Sequence, residues 1–254
     1  MTVATKTSVL DKVWQLPSRV LRQLNEHGIR NTIFRAFYRW RCNRRERQLG
    51  IQTTASIDGQ QLGNGAEENL GYQPIPFESF DRAMEHVDLS SGNEVFIDYG
   101  CGMGRAVVMA GLLPFKRVLG VELSDELADV ARQNLSVAKH QMQSTESEIF
   151  TADATRFDLP DDVSVVFMFN PFCGEILQNV LDRIRQSLCD KPRRCCFIYA
   201  QPRGNENLLD RCRWLTRRIE VEVPSEPWQQ LAIYDFDKSA NRTETRELAE
   251  VEAQ

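Results

Sequence analysis

The sequence predicts an α/β protein built on a doubly wound, seven-stranded and mostly parallel sheet. From residue 94 onward, short apolar runs of strand length alternate with amphipathic stretches of helical length. This alternation is typical of βαβ units, which form parallel sheets. The last two apolar runs follow each other without a helix between them. They therefore predict an antiparallel last strand.

The region before the sheet is basic and is predicted to be helical. Residues 1–50 hold eleven Lys/Arg and three Asp/Glu, although the whole chain has a net charge of -5. Over residues 9–48, apolar side chains recur at helical spacing, and we assign 1–49 to a basic helical extension. Residues 30–47 admit three interpretations: a helix packed on the domain, a helix that binds an acidic protein or nucleic acid, or a helix on a membrane surface.

Composition sets the remaining boundaries. Residues 50–71 are rich in Gly, Gln, Asn and Thr, which predicts a linker loop. Two prolines then precede a helix that starts near Phe77. The α/β domain is predicted over residues 72–237, and the polar, charged residues 238–254 are predicted to be a disordered tail.

Within the domain, each element follows from its pattern of apolar residues. Ser124 is predicted to cap the longest of the early helices, because acids follow it in the first turn. The predicted strands fall at or within residues 94–98, 117–123, 147–154, 163–169, 194–202, 213–223 and 228–236. The predicted helices between them fall at residues 105–113, 124–140 and 174–188.

The stretch FIDYGCGMGR, residues 96–105, carries the first functional signal. Asp98 ends a strand and is followed by three alternating glycines. A dinucleotide-binding fingerprint requires a sixth-position glycine, where this chain has Arg105, so a nicotinamide-dependent oxidoreductase is disfavoured. A carboxylate beside the loop suits a cationic group rather than a pyrophosphate. S-adenosylmethionine, which carries an ammonium and a sulfonium and no phosphate, meets this requirement.

Three further polar or aromatic signals follow later strands. Glu122 ends the second strand, where a carboxylate can accept hydrogen bonds from both hydroxyls of a ribose. Asp153 follows the third strand and is placed to accept from an adenine amino group, while the Ala154 amide can donate to a ring nitrogen. The sequence NPF, residues 170–172, follows the fourth strand. Because ligands of doubly wound sheets bind at the carboxyl ends of strands, these signals predict one site.

The order of these motifs resembles the class I S-adenosylmethionine-dependent methyltransferases. The motifs are D-x-G-C-G-x-G-R, V-x-G-V-E, D-A and N-P-F, and the resemblance covers about residues 65–237. It extends to a bacterial group of small methyltransferase-domain proteins with GYQP upstream and NPF downstream. It implies a Rossmann-like fold with S-adenosylmethionine as the cofactor. The cofactor-binding residues so predicted are Asp98, Tyr99, Gly100, Cys101, Gly102, Gly104, Arg105, Glu122, Leu123, Asp153, Ala154 and Asn170.

The NPF sequence also resembles the D/N-P-P-Y/F signature of amino-group methyltransferases. In those enzymes the Asn side chain accepts a hydrogen bond from the target amine, and the aromatic ring stacks on the substrate. The resemblance implies catalytic roles for Asn170, Pro171 and Phe172, with Tyr72 shaping the methyl-transfer channel. It favours an amine nitrogen of a protein lysine or a small molecule as acceptor, and RNA stays open as a further acceptor. Two alternatives stay open: NPF as a simple pocket wall, and a non-catalytic binding module on a degenerate methyltransferase fold.

Other chemistries find little support in the composition. The seven cysteines contain no CxxC pair and the three histidines are scattered, so we predict no disulfide framework and no metal site. No stretch approaches the roughly 20 apolar residues of a membrane span. The N-terminus lacks the pattern of a secretory signal. We therefore expect a cytoplasmic protein with no transmembrane segment.

Overall fold

The computed structural model describes residues 40–54, 72–202, 204–223 and 230–237. The chain divides into two compact units, Met1–Arg47 and Gln48–Gln254. In the first unit, the described residues are helical, and the Arg44 guanidinium stacks over the Trp40 ring at 5.6 Å. The predicted helix over 9–39, the linker beyond residue 54 and the tail from 238 lie outside the described residues.

The second unit contains the predicted seven-stranded sheet. Its strands are β1 (Val95–Tyr99), β2 (Arg117–Glu122), β3 (Glu146–Thr151), β4 (Val165–Phe169), β5 (Cys196–Ala200), β6 (Leu215–Glu222) and β7 (Gln230–Phe236). Their order across the sheet is β3-β2-β1-β4-β5-β7-β6. The first five strands pair in parallel, and β7 is antiparallel to both β5 and β6. The prediction of a mostly parallel sheet with an antiparallel last strand is confirmed.

Five α-helices accompany the strands: α1 (Phe77–Met84), α2 (Arg105–Gly111), α3 (Asp125–Ala138), α4 (Gly174–Asp190) and α5 (Glu206–Arg211), and a 3₁₀-helix (Lys139–Gln141) follows α3. The Ser124 side chain accepts a hydrogen bond from the Leu127 amide at 3.4 Å, so the predicted cap of α3 is confirmed. The short helix α5 was not predicted, because six residues show no usable periodicity. Among the described residues, no helix combines the length and apolarity needed to cross a bilayer.

The central strand β1 is buried along its whole length, and its side chains alternate between the two faces of the sheet. Phe96 packs edge-on against Phe80 of α1, with ring centroids 5.9 Å apart. On the opposite face, Ile97 and Tyr99 join the core cluster under α4. The alternation places Asp98 on the same face as Phe96, at the carboxyl end of the strand.

Residues 51–54, here called the strap, pack on the sheet unit although they fall within the predicted linker. Thr53 is fully buried. The Asn134 side chain of α3 pairs with the backbone of Gln52, accepting from its amide at 2.9 Å and donating to its carbonyl at 3.0 Å. The same amide group donates to the Met103 carbonyl at 2.9 Å. The strap is therefore fixed to the segment that follows β1.

Candidate active site

A cavity of about 400 Å³ opens at the carboxyl ends of β1, β2 and β4. It brings together most of the residues that the sequence singled out. These are Tyr72, Asp98, Gly100, Cys101, Gly102, Arg105, Glu122, Leu123, Asp153, Ala154, Pro171 and Phe172. Gln73 and Pro74 also line the cavity, and the sequence carries no signal for other wall residues, including Thr155, Phe169, Ile176 and Asn179. Ile176 and Asn179 lie on α4, where their spacing carried no signal for a site.

Asp98 lies on the cavity wall with an unsupported carboxylate. The residue is 4% exposed, and no hydrogen bond reaches its side chain from the residues that the structure describes. Burial raises the pKa of Asp98 well above its ordinary value, and the negative charge of Glu122 raises it further. Because a buried carboxylate is costly without a partner, this position suits a ligand that carries a positive charge.

Glu122 is held firmly by backbone amides. Its Oε2 accepts from the Gly102 amide at 2.8 Å, and its Oε1 accepts from the Ser124 amide at 3.0 Å. Burial raises the pKa of Glu122, while these amides oppose that rise. Each carboxylate oxygen keeps a further lone pair, so the group can accept additional hydrogen bonds from hydroxyl donors.

The loop between β1 and α2 is folded back against the end of β2. The amides of Gly100 and Cys101 both donate to the Val121 carbonyl, at 2.8 and 3.0 Å. Gly100 and Gly102 have φ angles of 71° and 52°, in the left-handed region that favours glycine. A Cβ on Gly100 would lie 2.4 Å from the Pro171 side chain, and one on Gly102 would lie 2.1 Å from the Tyr72 ring.

Tyr99 and Gly104, two predicted cofactor-binding residues, do not line the cavity. The strand alternation turns the Tyr99 side chain into the core, where its ring packs edge-on against Phe157. Gly104 lies at the start of α2, where a Cβ would come within 2.9 Å of the Ala131 side chain of α3. Both residues therefore serve packing in this structure.

Arg105 lines the cavity, but its charged group is engaged with the protein. Its Nε donates to Thr53 Oγ1 at 2.7 Å, and its Nη1 donates to the Ile75 carbonyl at 2.9 Å. Its guanidinium also lies over the Phe77 ring at 4.5 Å. These contacts make Arg105 an anchor for the strap.

Asp153 lies at the exposed rim of the cavity, in the turn after β3. Its Oδ1 accepts from the amide and the hydroxyl of Thr155, at 2.8 and 2.7 Å. The turn is thereby fixed beside Leu123 and Ala154 on the cavity wall. The role of Asp153 toward an adenine amino group stays a prediction.

Asn170 is the predicted site residue whose surroundings differ most from those that the sequence predicts. It does not line the cavity, and its Oδ1 accepts from the Tyr199 hydroxyl at 3.1 Å and from Asn205 Nδ2 at 2.9 Å. Two donors from the protein occupy the lone pairs of this oxygen, so it is not presented to a substrate amine. The structure therefore does not support the predicted contact of Asn170 with acceptor or cofactor. No motif in the sequence indicated Tyr199 or Asn205.

The described residues offer no activated nucleophile or metal cluster at this cavity. Burial raises the pKa of the Cys101 thiol well above its ordinary value, and the charges of Asp98 and Glu122 add to the shift. The thiol is therefore neutral and a poor nucleophile. Within the described ranges, no group of His, Cys, Asp and Glu side chains could hold a metal ion.

Comparison with protein families gives one match. Residues 96–191 match the family model described as a methyltransferase domain. This match supports an S-adenosylmethionine-dependent methyltransferase, and S-adenosylmethionine is the cofactor of that family. The Asp98 carboxylate, which has no hydrogen-bond partner among the described residues, and the amide-held Glu122 fit the cofactor's cationic and hydroxyl groups. Comparison with curated proteins finds no match.

Solved structures with a similar arrangement include several methyltransferases. An RNA methyltransferase from Salinibacter ruber, in complex with S-adenosyl-L-homocysteine, is 21% identical with a TM-score of 0.48, over 65% of this chain and 95% of that one. Magnesium protoporphyrin IX methyltransferase from Synechocystis PCC 6803 is 12% identical with a TM-score of 0.46, over 66% and 87%. Geranyl diphosphate C-methyltransferase from Streptomyces coelicolor A3(2) is 15% identical with a TM-score of 0.47, over 65% and 78%.

Proposed function

We propose that this chain transfers the methyl group of S-adenosylmethionine to an amine nitrogen of a small molecule or a protein lysine. The observation that carries the proposal is the buried Asp98 carboxylate, which lines the cavity and lacks a hydrogen-bond partner among the described residues. The α-ammonium of the cofactor would supply the missing partner. Glu122 would accept from the ribose hydroxyls, and the turn of Asp153 and Ala154 would border the adenine.

The wall near β4 supports an acceptor that needs no protein base. Tyr72, Phe169 and Pro171 line this side with uncharged groups. The Tyr72 hydroxyl donates to the Thr53 carbonyl at 2.8 Å, so its proton is engaged in a hydrogen bond within the protein. The lone pair of a neutral amine attacks the methyl carbon, so that a C–N bond forms while the C–S bond breaks. S-adenosylhomocysteine leaves, and the methylated ammonium then releases a proton to water. An alcohol would require a base, which the uncharged groups on this side of the cavity do not offer.

Catalysis at such a site depends on how the protein positions the acceptor amine relative to the methyl group. The sulfonium is already an activated methyl donor, so the protein has to align the amine with the methyl group and exclude water. The apolar and aromatic groups of the wall serve the second requirement. We also propose that the chain belongs with the small bacterial methyltransferase-domain proteins that carry GYQP and NPF motifs.

Calorimetry with S-adenosylhomocysteine tests the cofactor side of the proposal. The full chain is compared with Asp98→Asn, and with Asp162→Asn as a matched exposed control before β4. We expect binding by the full chain, at least tenfold weaker binding by Asp98→Asn, and unchanged binding by the control. Absence of binding by the full chain at about 1 mM ligand, an affinity near -4 kcal/mol, would refute the proposal.

Methyl transfer tests the acceptor side and separates the enzyme from a non-catalytic binding module. Tritiated S-adenosylmethionine is incubated with a fractionated lysate and the chain. Label in the protein fraction that survives acid and base treatment indicates lysine, and label in the small-molecule fraction indicates a free amine. Cofactor binding without label in any fraction favours the binding module.

A further inference from the structure

Three polar side chains, two of them buried, join the turns that follow β4 and β5. Asn205 is 2% exposed, and its Nδ2 lies 2.9 Å from Asn170 Oδ1, 3.2 Å from the Phe172 carbonyl and 2.9 Å from the Tyr199 hydroxyl. The Tyr199 hydroxyl lies 3.1 Å from Asn170 Oδ1. We call Asn170, Tyr199 and Asn205 the carboxamide clamp.

The direction of these hydrogen bonds follows from one fixed acceptor. The Phe172 carbonyl can only accept, so the Asn205 group that faces it is the amide nitrogen. The same nitrogen faces Asn170, and the Asn170 group opposite must therefore be its oxygen. Asn205 is thus the donor that holds both the first and the last residue of the NPF turn.

The backbone at this edge of the sheet needs such support. Asn170 and Gln201 have φ angles of 41° and 53°, and they are the non-glycine residues with positive φ in the described ranges. They immediately follow the neighbouring strands β4 and β5. A positive φ costs most non-glycine residues free energy, less so asparagine, and it persists where the surroundings impose it. The clamp supplies that constraint at Asn170.

The turn held by the clamp forms part of the cavity wall. Pro171 packs against Gly100 so closely that a Cβ on the glycine would lie 2.4 Å away. Phe172 lines the cavity beside Ala154 and Ile176. A change in the Asn170 backbone would shift both side chains, because they follow it directly in the chain.

We propose that Asn205 is a positioning residue, which acts through the carboxamide clamp to set the Pro171–Phe172 wall of the cofactor cavity. The proposal rests on the proposed function, since the ligand whose binding reports it is the cofactor product. Asn205 itself does not line the cavity. Its effect on the ligand is therefore transmitted through the turn.

The test compares Asn205→Ala with Leu209→Ala by calorimetry with S-adenosylhomocysteine, well below both melting temperatures. Leu209 lies on α5, the helix that Asn205 directly precedes, and is 1% exposed, but its side chain belongs to the apolar core and makes none of the clamp's hydrogen bonds. We expect about tenfold weaker binding for Asn205→Ala, which corresponds to about 1.4 kcal/mol. Leu209→Ala should lower the melting temperature and leave the affinity within twofold. Tyr199→Phe, which removes the hydroxyl and keeps the ring, should weaken binding by a smaller factor.

Each outcome decides a question. Unchanged affinity in both Asn205→Ala and Tyr199→Phe, in a chain that binds the ligand, refutes the positioning role and leaves the proposed function intact. An equal loss of affinity in Leu209→Ala shows general loosening of the fold and also refutes it. A full chain that fails to bind refutes the proposed function first. If Asn205→Ala does not fold, Tyr199→Phe decides alone.

Discussion

The acids at the ends of β1 and β2 are supported differently, and the difference sets the behaviour of each. Glu122 receives two backbone amide hydrogen bonds, from Gly102 and Ser124. Asp98 receives none on its side chain from the described residues, and it is more deeply buried. Glu122 is therefore organised before a ligand arrives, whereas Asp98 destabilises the ligand-free protein whenever it is ionised.

This leads to a pH prediction for Asp98. Its pKa is raised in the folded state by burial, with repulsion from Glu122 as a second cause. The folded chain thus holds a proton that the unfolded chain has released. The stability linked to neutral Asp98 is fully present below the unfolded pKa of about 3.9 and is lost as the pH rises through the folded pKa. Relative to the original chain, Asp98→Asn should gain stability as the pH rises from about 4 to 8.

Urea unfolding of both chains at several pH values measures the difference. Asp162→Asn, an exposed substitution, is the control and should show little pH dependence relative to the original chain. A constant difference between Asp98→Asn and the original chain across this range would show that Asp98 is ionised throughout.

Glu122→Ala should weaken binding of S-adenosylhomocysteine by more than tenfold. A lost charge-assisted hydrogen bond contributes about 1.5–3 kcal/mol, and the Gly102 amide also loses its acceptor. Calorimetry at one pH measures the change, and Glu126→Ala in the exposed first turn of α3 serves as the control. Unchanged affinity in Glu122→Ala would show that the ribose assignment is wrong.

The sequence predicted the positions of these acids, because the carboxyl ends of parallel strands meet at one edge of the sheet. It did not predict the directions of side chains in the same motifs. Tyr99 is adjacent to Asp98 in the chain and points to the opposite face. Asn170 follows a strand as expected, but two donors from β5 and the segment after it hold its oxygen. Such long-range hydrogen bonds leave no periodic trace in a sequence.

At the scale of elements, the glycines of the loop between β1 and α2 pack closely against other segments of the chain. Gly100 meets Pro171, Gly102 meets Tyr72 and Gly104 meets Ala131. The sequence explained these glycines by the close approach of a cofactor. The structure adds that the first obstacle to a side chain at Gly102 is the ring of Tyr72.

A double-mutant cycle tests whether the Tyr72 ring limits what residue 102 can be. Gly102→Ala should destabilise the chain, because its Cβ would lie 2.1 Å from the Tyr72 ring and its φ of 52° disfavours alanine. In a Tyr72→Ala background the steric part disappears, and a backbone cost of roughly 1–2 kcal/mol remains. Thermal or urea unfolding of the four chains gives the coupling. Strict additivity would show that the ring moves aside freely.

The accuracy with which the sequence predicts an element depends on how clear its pattern of apolar residues is. The apolar runs of β1 and β4 are short and continuous, so the strands were found within one or two residues. The strap was assigned to a linker because its residues are mostly polar. Its burial arises from specific hydrogen bonds to Asn134 and Arg105, which composition does not reveal.

At the scale of the whole molecule, the strap extends the sheet unit toward the N-terminus. Arg105 is 3% exposed and donates to the hydroxyls of Thr53 and Thr54. Asn134 uses both ends of its carboxamide on Gln52. Removal of the strap would leave these buried groups without their partners, and each unsatisfied group costs about 1–3 kcal/mol.

Two truncations test this boundary. A chain starting at residue 48 should keep the stability and ligand affinity of the sheet unit, because the strap is retained. In a chain starting at residue 55, the free energy of unfolding should fall by at least about 3 kcal/mol, or the chain should fail to fold. Urea unfolding and calorimetry measure both. In the full chain, Thr53→Val should show part of the same loss, and equal stability of the two truncations would contradict the role of the strap.

The strand order also determines when the sheet can be completed during synthesis. The last strand, β7, is inserted between β5 and β6, so β6 has no partner in the sheet until Phe236 has been added. A nascent chain that stops before residue 230 exposes the open edge of β5 and an unpaired β6 at the same time. Unpaired strand edges are sites of intermolecular association. We therefore expect cotranslational folding of this chain to pass through an aggregation-prone stage that ends when β7 is added.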